Sequence, residues 1–216
     1  MEAEFWQERW AKGETGFHKS RPNPLLSRWW SSLGLHTAAP VWVPLCGKSL
    51  DMAWLREQGH PVVGIELARS ALESFAAEQR LQLGWREQGE FAIGEGEGYC
   101  LYCGDFFALT AEDVARVEGV YDRAALIALP ETMRGPYVEH MRQVLPAGWR
   151  LLLITLDYAQ AERPGPPFSV PDVEVRTLFS GCLIELLEEK DVLDDHPVFR
   201  EQGMTRLQER VYRISA

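Results

Sequence analysis

The stretch Val41-Trp42-Val43-Pro44-Leu45-Cys46-Gly47-Lys48-Ser49-Leu50-Asp51, followed by Val62-Val63-Gly64-Ile65-Glu66, constrains the fold more than any other part of the chain. A short apolar run breaks at Pro44 to Gly47, an amphipathic segment begins at once, and a second apolar run ends on an acid. This order predicts strand, tight turn, helix and strand, the unit that holds a nucleoside at the carboxyl ends of its strands. Glu66 falls about 20 residues beyond the first turn, the spacing of a carboxylate that grips ribose hydroxyls. A plain surface acid is the alternative. The turn lacks the G-x-G-x-x-G that admits a pyrophosphate. The unit therefore points to a nucleoside cofactor without a diphosphate, of which S-adenosylmethionine is the common one.

Two other motifs fail on context. Gly94-Glu95-Gly96-Glu97-Gly98 has glycines at the right spacing, but it precedes an apolar run and its glutamates repel phosphate. It reads as a flexible acidic turn. Lys48 suggests a phosphate-binding loop, yet Trp42 stands where that loop's first glycine belongs. A solvated or helix-start lysine fits better.

The remaining pattern alternates. Ala68, Ala71, Leu72, Phe75 and Ala76 follow helical spacing. Tyr99 to Gly104, Gly119 to Asp122 and Arg150 to Leu156 read as strands, with a helix from about Gly135 whose first turn suits Pro136. Such alternation implies a doubly wound, mostly parallel α/β sheet. Past the stiff Arg163-Pro164-Gly165-Pro166-Pro167-Phe168 loop, a helix over Asp172 to Phe179 precedes two runs, Cys182 to Leu187 and Leu207 to Ile214. No crossover helix separates those runs, so they predict an antiparallel edge pair.

With 216 residues, the chain is expected to form one domain over 1–216. Its net charge of −10 disfavours nucleic acid and favours a small-molecule substrate. No signal peptide or membrane-length apolar run is apparent, so the expected location is cytoplasmic. Cys100 and Cys103 have C-x-x-C spacing without a second pair, and on one strand they would face opposite ways. No metal site is expected.

Taken together, Pro44-Leu45-Cys46-Gly47-Lys48-Ser49 with Asp51, Gly59-His60-x-Val62-Val63-Gly64-Ile65-Glu66, and Asp122-Arg123-x-Ala125-Leu126 resemble the signature of the thiopurine S-methyltransferases. The Pro164 to Phe168 loop and the N-terminal Trp6-x-x-x-Trp10, Gly13-x-Thr15-x-Phe17-His18 pattern extend the likeness from residue 6 to about residue 212. The short N-terminus and acidic balance are more similar to the bacterial branch.

The resemblance implies the seven-stranded class I methyltransferase sheet and S-adenosylmethionine-dependent methylation of a thiol on an aromatic heterocycle, with action on selenium or tellurium compounds also implied. By matched position Trp10, Leu45, Glu66 and Arg123 contact the cofactor, with Trp6 beside Trp10 and Asp105-Phe106 flanking the adenine. Phe17 lies near the substrate. Apart from the match, Arg200, near the C-terminal hairpin, is a candidate second arginine at the substrate end. Residues 1–35 are expected to form a helical, aromatic segment that either closes as a lid over the cofactor site or packs on the core, and the expected state is a monomer. Asp105-Phe106 departs from the smaller residues of animal members.

Each residue has a plainer reading. Trp6 and Trp10 share a helical face that could simply pack on the core. Arg123, at the carboxyl end of its strand, is the candidate catalytic residue that meets the cofactor carboxylate or steadies the thiolate, its alternative being a pair with Asp122 or another acid. No residue is assigned as general base, because heterocyclic thiols ionise substantially near neutral pH. Other readings stay open: a related methyltransferase acting on halide, arsenic, oxygen or nitrogen, a nicotinamide-dependent oxidoreductase, or a regulator that binds S-adenosylmethionine without turnover.

Overall fold

A computed structural model describes residues 3–12 and 19–216. Gly13, Thr15, Phe17 and His18 lie outside the described residues. The strands are β1 (Val41–Val43), β2 (Val62–Glu66), β3 (Gly84–Gln88), β4 (Phe91–Gly96), β5 (Tyr99–Cys103), β6 (Gly119–Asp122), β7 (Arg150–Asp157), β8 (Leu183–Asp191) and β9 (Gln208–Ser215). They form one sheet in the order β3-β4-β5-β2-β1-β6-β7-β9-β8. The five central strands, β5, β2, β1, β6 and β7, run parallel. The outer strands pair antiparallel at both edges.

The parallel centre and the antiparallel C-terminal pair match expectation, but the sheet has nine strands where seven were implied. The additional pair is the β3–β4 hairpin, and it contains Gly94 and Gly96. These two glycines are strand residues, and the expected acidic turn is confined to Glu97 and Gly98, which take left-handed backbone (φ 50° and 84°) between β4 and β5. A side chain at Gly94 would come within 2.9 Å of the Trp85 ring, so the glycine makes room for the indole. Arg69 then lies 3.5 Å over that ring and ties the hairpin to the next layer.

The helices are α1 (Ala3–Ala11), α2 (Pro24–Trp29), α3 (Leu50–Glu57), α4 (Arg69–Glu78), α5 (Glu131–Val144), α6 (Asp172–Leu178) and α7 (Pro197–Glu201). Ser49 caps α3 by accepting from Asp51 N, and Asn23 caps α2 with Pro24 at its first position. Helix α5 begins four residues before the expected Gly135, so Pro136 sits inside it. That position removes one helical hydrogen bond, while buried Tyr137, Val138, Met141 and Val144 hold the helix to the sheet.

Strand alternation divides the core between the two faces of the sheet. Trp42, Ile65, Phe106, Tyr137 and Tyr212 pack on one face. Val41, Val43, Tyr121, Ile154 and Val211 pack on the other, beneath Leu26 and Trp30. Cys100 joins the first cluster and Cys103 the second, on opposite sides of β5. Within residues 1–35, therefore, α2 and the following turn Trp30–Leu33 are core, because Leu26 and Leu33 are almost fully buried. Helix α1 lies apart from them, against α4.

Candidate active site

The chain leaves β1 toward β2 on one side and later returns to β6 on the other. That reversal opens a crevice outside the carboxyl ends of the strands, where open α/β sheets bind ligands. Residues Pro44 to Gly47 leave β1 at this point. Leu45 (φ 46°) and Gly47 (φ 53°) both take left-handed backbone, and Cys46 N–H donates to Ile65 O at 2.9 Å. The turn is thereby clamped onto β2.

Glu66 ends β2 with only 7% of its surface exposed. One carboxylate oxygen accepts from Gly47 N and the other from Ala68 N, both at 2.9 Å. Burial raises its pKa, opposed by these amide hydrogen bonds. A carboxylate has about four lone-pair positions, and the backbone amides of Ala68, Gly47 and Leu67 do not fill them all. A surface acid would not be built this way. Lys48 turns away and pairs with Glu78 at 2.7 Å.

Helix α1 brings Trp10 over the turn. A side chain at Gly47 would come within 2.9 Å of the Trp10 indole and 3.9 Å of Glu66, so Gly47 is squeezed between the indole and the acid. Trp6 is half-buried and meets Phe5 edge-on at 5.3 Å. Beyond β5, Asp105 is exposed and caps the turn Phe106–Ala108 by accepting from Phe107 N. Phe106 itself faces inward, stacked on Trp42 at 5.4 Å and tilted on Tyr137 at 4.7 Å. Phe106 is only 4% exposed.

Arg123 follows β6, and its partner is Asp51 rather than the neighbouring Asp122. Its Nε lies 3.3 Å from Asp51 Oδ2. Asp122 is engaged elsewhere, accepting from Ala125 N, Leu126 N and the Tyr137 hydroxyl. Asp51 is almost fully buried in the first turn of α3 and also accepts from Asn23 N at 2.7 Å and the Tyr121 hydroxyl at 3.0 Å. Glu209 on β9 is a second acid whose charge meets that of Arg123, and burial raises its pKa.

Sequence reasoning quoted Asp51 in a motif without giving it a role, and missed Tyr121 and Glu209. An acid in a helix's first turn looks like a dipole partner, and nothing local reveals that it faces inward. Arg200 lies on exposed α7, ion-paired to Asp194 with 60% of its side chain exposed. The Pro164 to Phe168 loop is anchored at Ile127, beyond β6, by a 2.7 Å bond from Phe168 N.

The profile of the thiopurine S-methyltransferase family matches residues 1–216. The thiopurine S-methyltransferase of a Pseudomonas putida strain is 54% identical over 214 residues, covering 99% of each chain. That of a Pseudomonas fluorescens strain is 51% identical over 215 residues, again covering 99% of each. Among solved structures, the 1,6-didemethyltoxoflavin-N1-methyltransferase of Burkholderia thailandensis, with bound 1,6-didemethyltoxoflavin and S-adenosylhomocysteine, superposes with a TM-score of 0.63. It covers 98% of this chain and 86% of its own at 16% identity, which is a likeness of fold.

Proposed function

This chain belongs to the thiopurine S-methyltransferase family of S-adenosylmethionine-dependent methyltransferases, and we propose that its acceptor is the sulfur of an aromatic or heterocyclic thiol. Thiopurines are the type substrate, and selenium and tellurium compounds are further acceptors of the same soft, polarisable kind. The observation that carries the donor end of this reading is the pair of Glu66 and Arg123 at the carboxyl ends of β2 and β6. One offers free acceptor positions where ribose hydroxyls would lie. The other is a guanidinium held beside Asp51 and the Tyr121 hydroxyl, and a planar guanidinium suits the amino-acid carboxylate.

In this reading Trp10 and Trp6 cover the cofactor, Leu45 and Gly47 present their backbone to it, and Asp105 with the edge of Phe106 flanks the adenine. Phe17 belongs to the acceptor side. Arg200 reaches an acceptor only by leaving Asp194. When bound, the cofactor supplies an already activated methyl on a sulfonium. The chain's own residues then have two tasks, to hold the acceptor sulfur in line with that methyl and to keep water out. Positioning of this kind is worth up to about 7–11 kcal/mol. No general base is needed where the acceptor arrives as a thiolate.

A methyl-transfer assay across matched thiols, selenols, phenols and amines tests the acceptor. Rates should follow the thiolate fraction, each profile levelling above that thiol's own pKa. Phenols methylated as fast as thiols, or one pH profile shared by all acceptors, would overturn the unassisted-thiolate reading.

A further inference from the structure

Asp51 is a buried acid that gathers two hydrogen-bond donors and a guanidinium from three separate parts of the chain. Oδ1 accepts from Asn23 N at 2.7 Å, Oδ2 accepts from the Tyr121 hydroxyl at 3.0 Å, and Arg123 Nε stands 3.3 Å from the same Oδ2. A carboxylate removed from water in this way must be paired to remain charged. Burial, with the charge of Asp51 beside it, pushes the Tyr121 phenol far up, so it stays a donor. The three contacts leave Asp51 little freedom to move.

We propose that Asp51 is a positioning residue for the methyltransferase reaction: it grips Arg123 by Nε and so aims the arginine's terminal nitrogens into the crevice. The inference rests on the reading of Arg123 as the ligand of the cofactor's carboxylate.

Three observations support positioning over a plain ion pair. The contact runs through Nε, the one guanidinium nitrogen that a bidentate grip by the two terminal nitrogens does not use. That Nε is buried yet lacks hydrogen-bond geometry, so the pair is close but unclosed. Catalytic contacts of this kind often tighten only in the productive complex, and a small side-chain rotation would bring Nε–H into line. Finally, Asn23, which donates to the same carboxylate, heads α2 and lies on the chain leading in from the N-terminal segment. Asp51 therefore joins the acceptor-side segment, α3 and the end of β6 at one point.

The sign of the Asp51→Asn effect discriminates the two roles. Asn keeps the shape of Asp51 and removes its charge. If Asp51 merely neutralised Arg123, its loss would free the arginine's charge and tighten binding of a carboxylate. If Asp51 aims Arg123, its loss weakens binding. The experiment measures S-adenosylmethionine affinity by calorimetry for Asp51→Asn, Tyr121→Phe, Arg123→Ala and the Asp51→Asn, Arg123→Ala double variant, with the thermal midpoint of each. Binding needs no acceptor, so the outcome is independent of which thiol is methylated.

We expect Asp51→Asn to weaken binding about tenfold, and the double variant to be no weaker than Arg123→Ala alone. Tyr121→Phe, which removes a hydroxyl that donates to Oδ2 and also bonds Arg123, should act in the same direction and more weakly. A structural role could lower the thermal midpoint, but its effect would multiply with that of Arg123→Ala. Multiplying losses, or tighter binding by Asp51→Asn, overturns the proposal. Should Arg123→Ala bind as well as the unaltered protein, the assignment of Arg123 itself fails and the inference falls with it.

Discussion

At the scale of single residues, the chemistry of the crevice depends on how many bonds each group has left to give. Glu66 uses one lone pair on each oxygen for an amide, and in the proposed reading the rest serve the ribose. Glu66→Gln replaces one acceptor oxygen with a donor and strands an amide or a hydroxyl. A hydrogen bond to a charged group is worth about 1.5–3 kcal/mol, so cofactor affinity should fall at least about tenfold while the fold survives. Unchanged affinity by calorimetry would remove Glu66 from the site. Asp122 yields a second expectation, about stability. Burial, offset by its hydrogen bonds to Tyr137, Leu126 and Ala125, raises its pKa from 3.8 to about 6. The folded state therefore holds a proton that the unfolded chain releases. The stabilisation is full below pH 3.8 and lost as pH rises through about 6, a change of up to about 3 kcal/mol. Urea midpoints followed across that range should show this contribution, and Asp122→Asn should abolish it. An identical pH slope in the variant would refute it.

At the scale of elements, the sheet centre was legible because its strands are buried on both faces and read as continuous apolar runs. Val62-Val63-Gly64-Ile65 is the clearest case, and the acid that ends it fixed the cofactor side. The β3–β4 hairpin was illegible for a local reason. Glycine and glutamate have weak strand preference, and the tertiary partners that justify them, Trp85 under Arg69, come from elsewhere in the chain. The start of α5 was misplaced because Pro136 looks like a first-turn residue, whereas packing of Tyr137 and Met141 holds the helix through it. Asp51 was hidden by the same kind of ambiguity, since burial is not written in its neighbours. The hairpin offers a direct check. Gly94→Ala places a methyl within 2.9 Å of the Trp85 ring, and overpacking of this kind costs about 1–3 kcal/mol. Since the hairpin sits at the sheet edge, away from the β1–β6 crevice, the denaturation midpoint should fall while S-adenosylmethionine affinity is unchanged. A parallel loss of affinity would mean that the edge and the crevice are coupled.

At the scale of the whole molecule, charge separates donor from product. The chain carries a net charge of −10; Glu66 ends β2 and Asp105 follows β5, while Asp51 and Glu209 face Arg123, with the charges of Lys190 and Lys19 also reaching Glu209. S-adenosylmethionine has a sulfonium and an ammonium against one carboxylate, so it approaches with one net positive charge. Methyl transfer removes the sulfonium, and S-adenosylhomocysteine has no net charge. A negatively charged cleft raises the encounter rate of a cation and does nothing for a neutral species. The association rate of S-adenosylmethionine should therefore fall as salt is raised toward physiological strength, by up to about tenfold, because screening shortens the reach of the field to roughly 8 Å. That of S-adenosylhomocysteine should stay nearly flat over the same range. Stopped-flow quenching of Trp10, which lies over the turn at Gly47, gives both rates from the same protein. Equal salt dependence for the two ligands would show that the acids of the crevice are internally compensated, with Arg123 balancing Asp51 and Glu209 too closely for any field to reach the solvent. A rate for S-adenosylmethionine that rises with salt would reverse the sign of the field altogether.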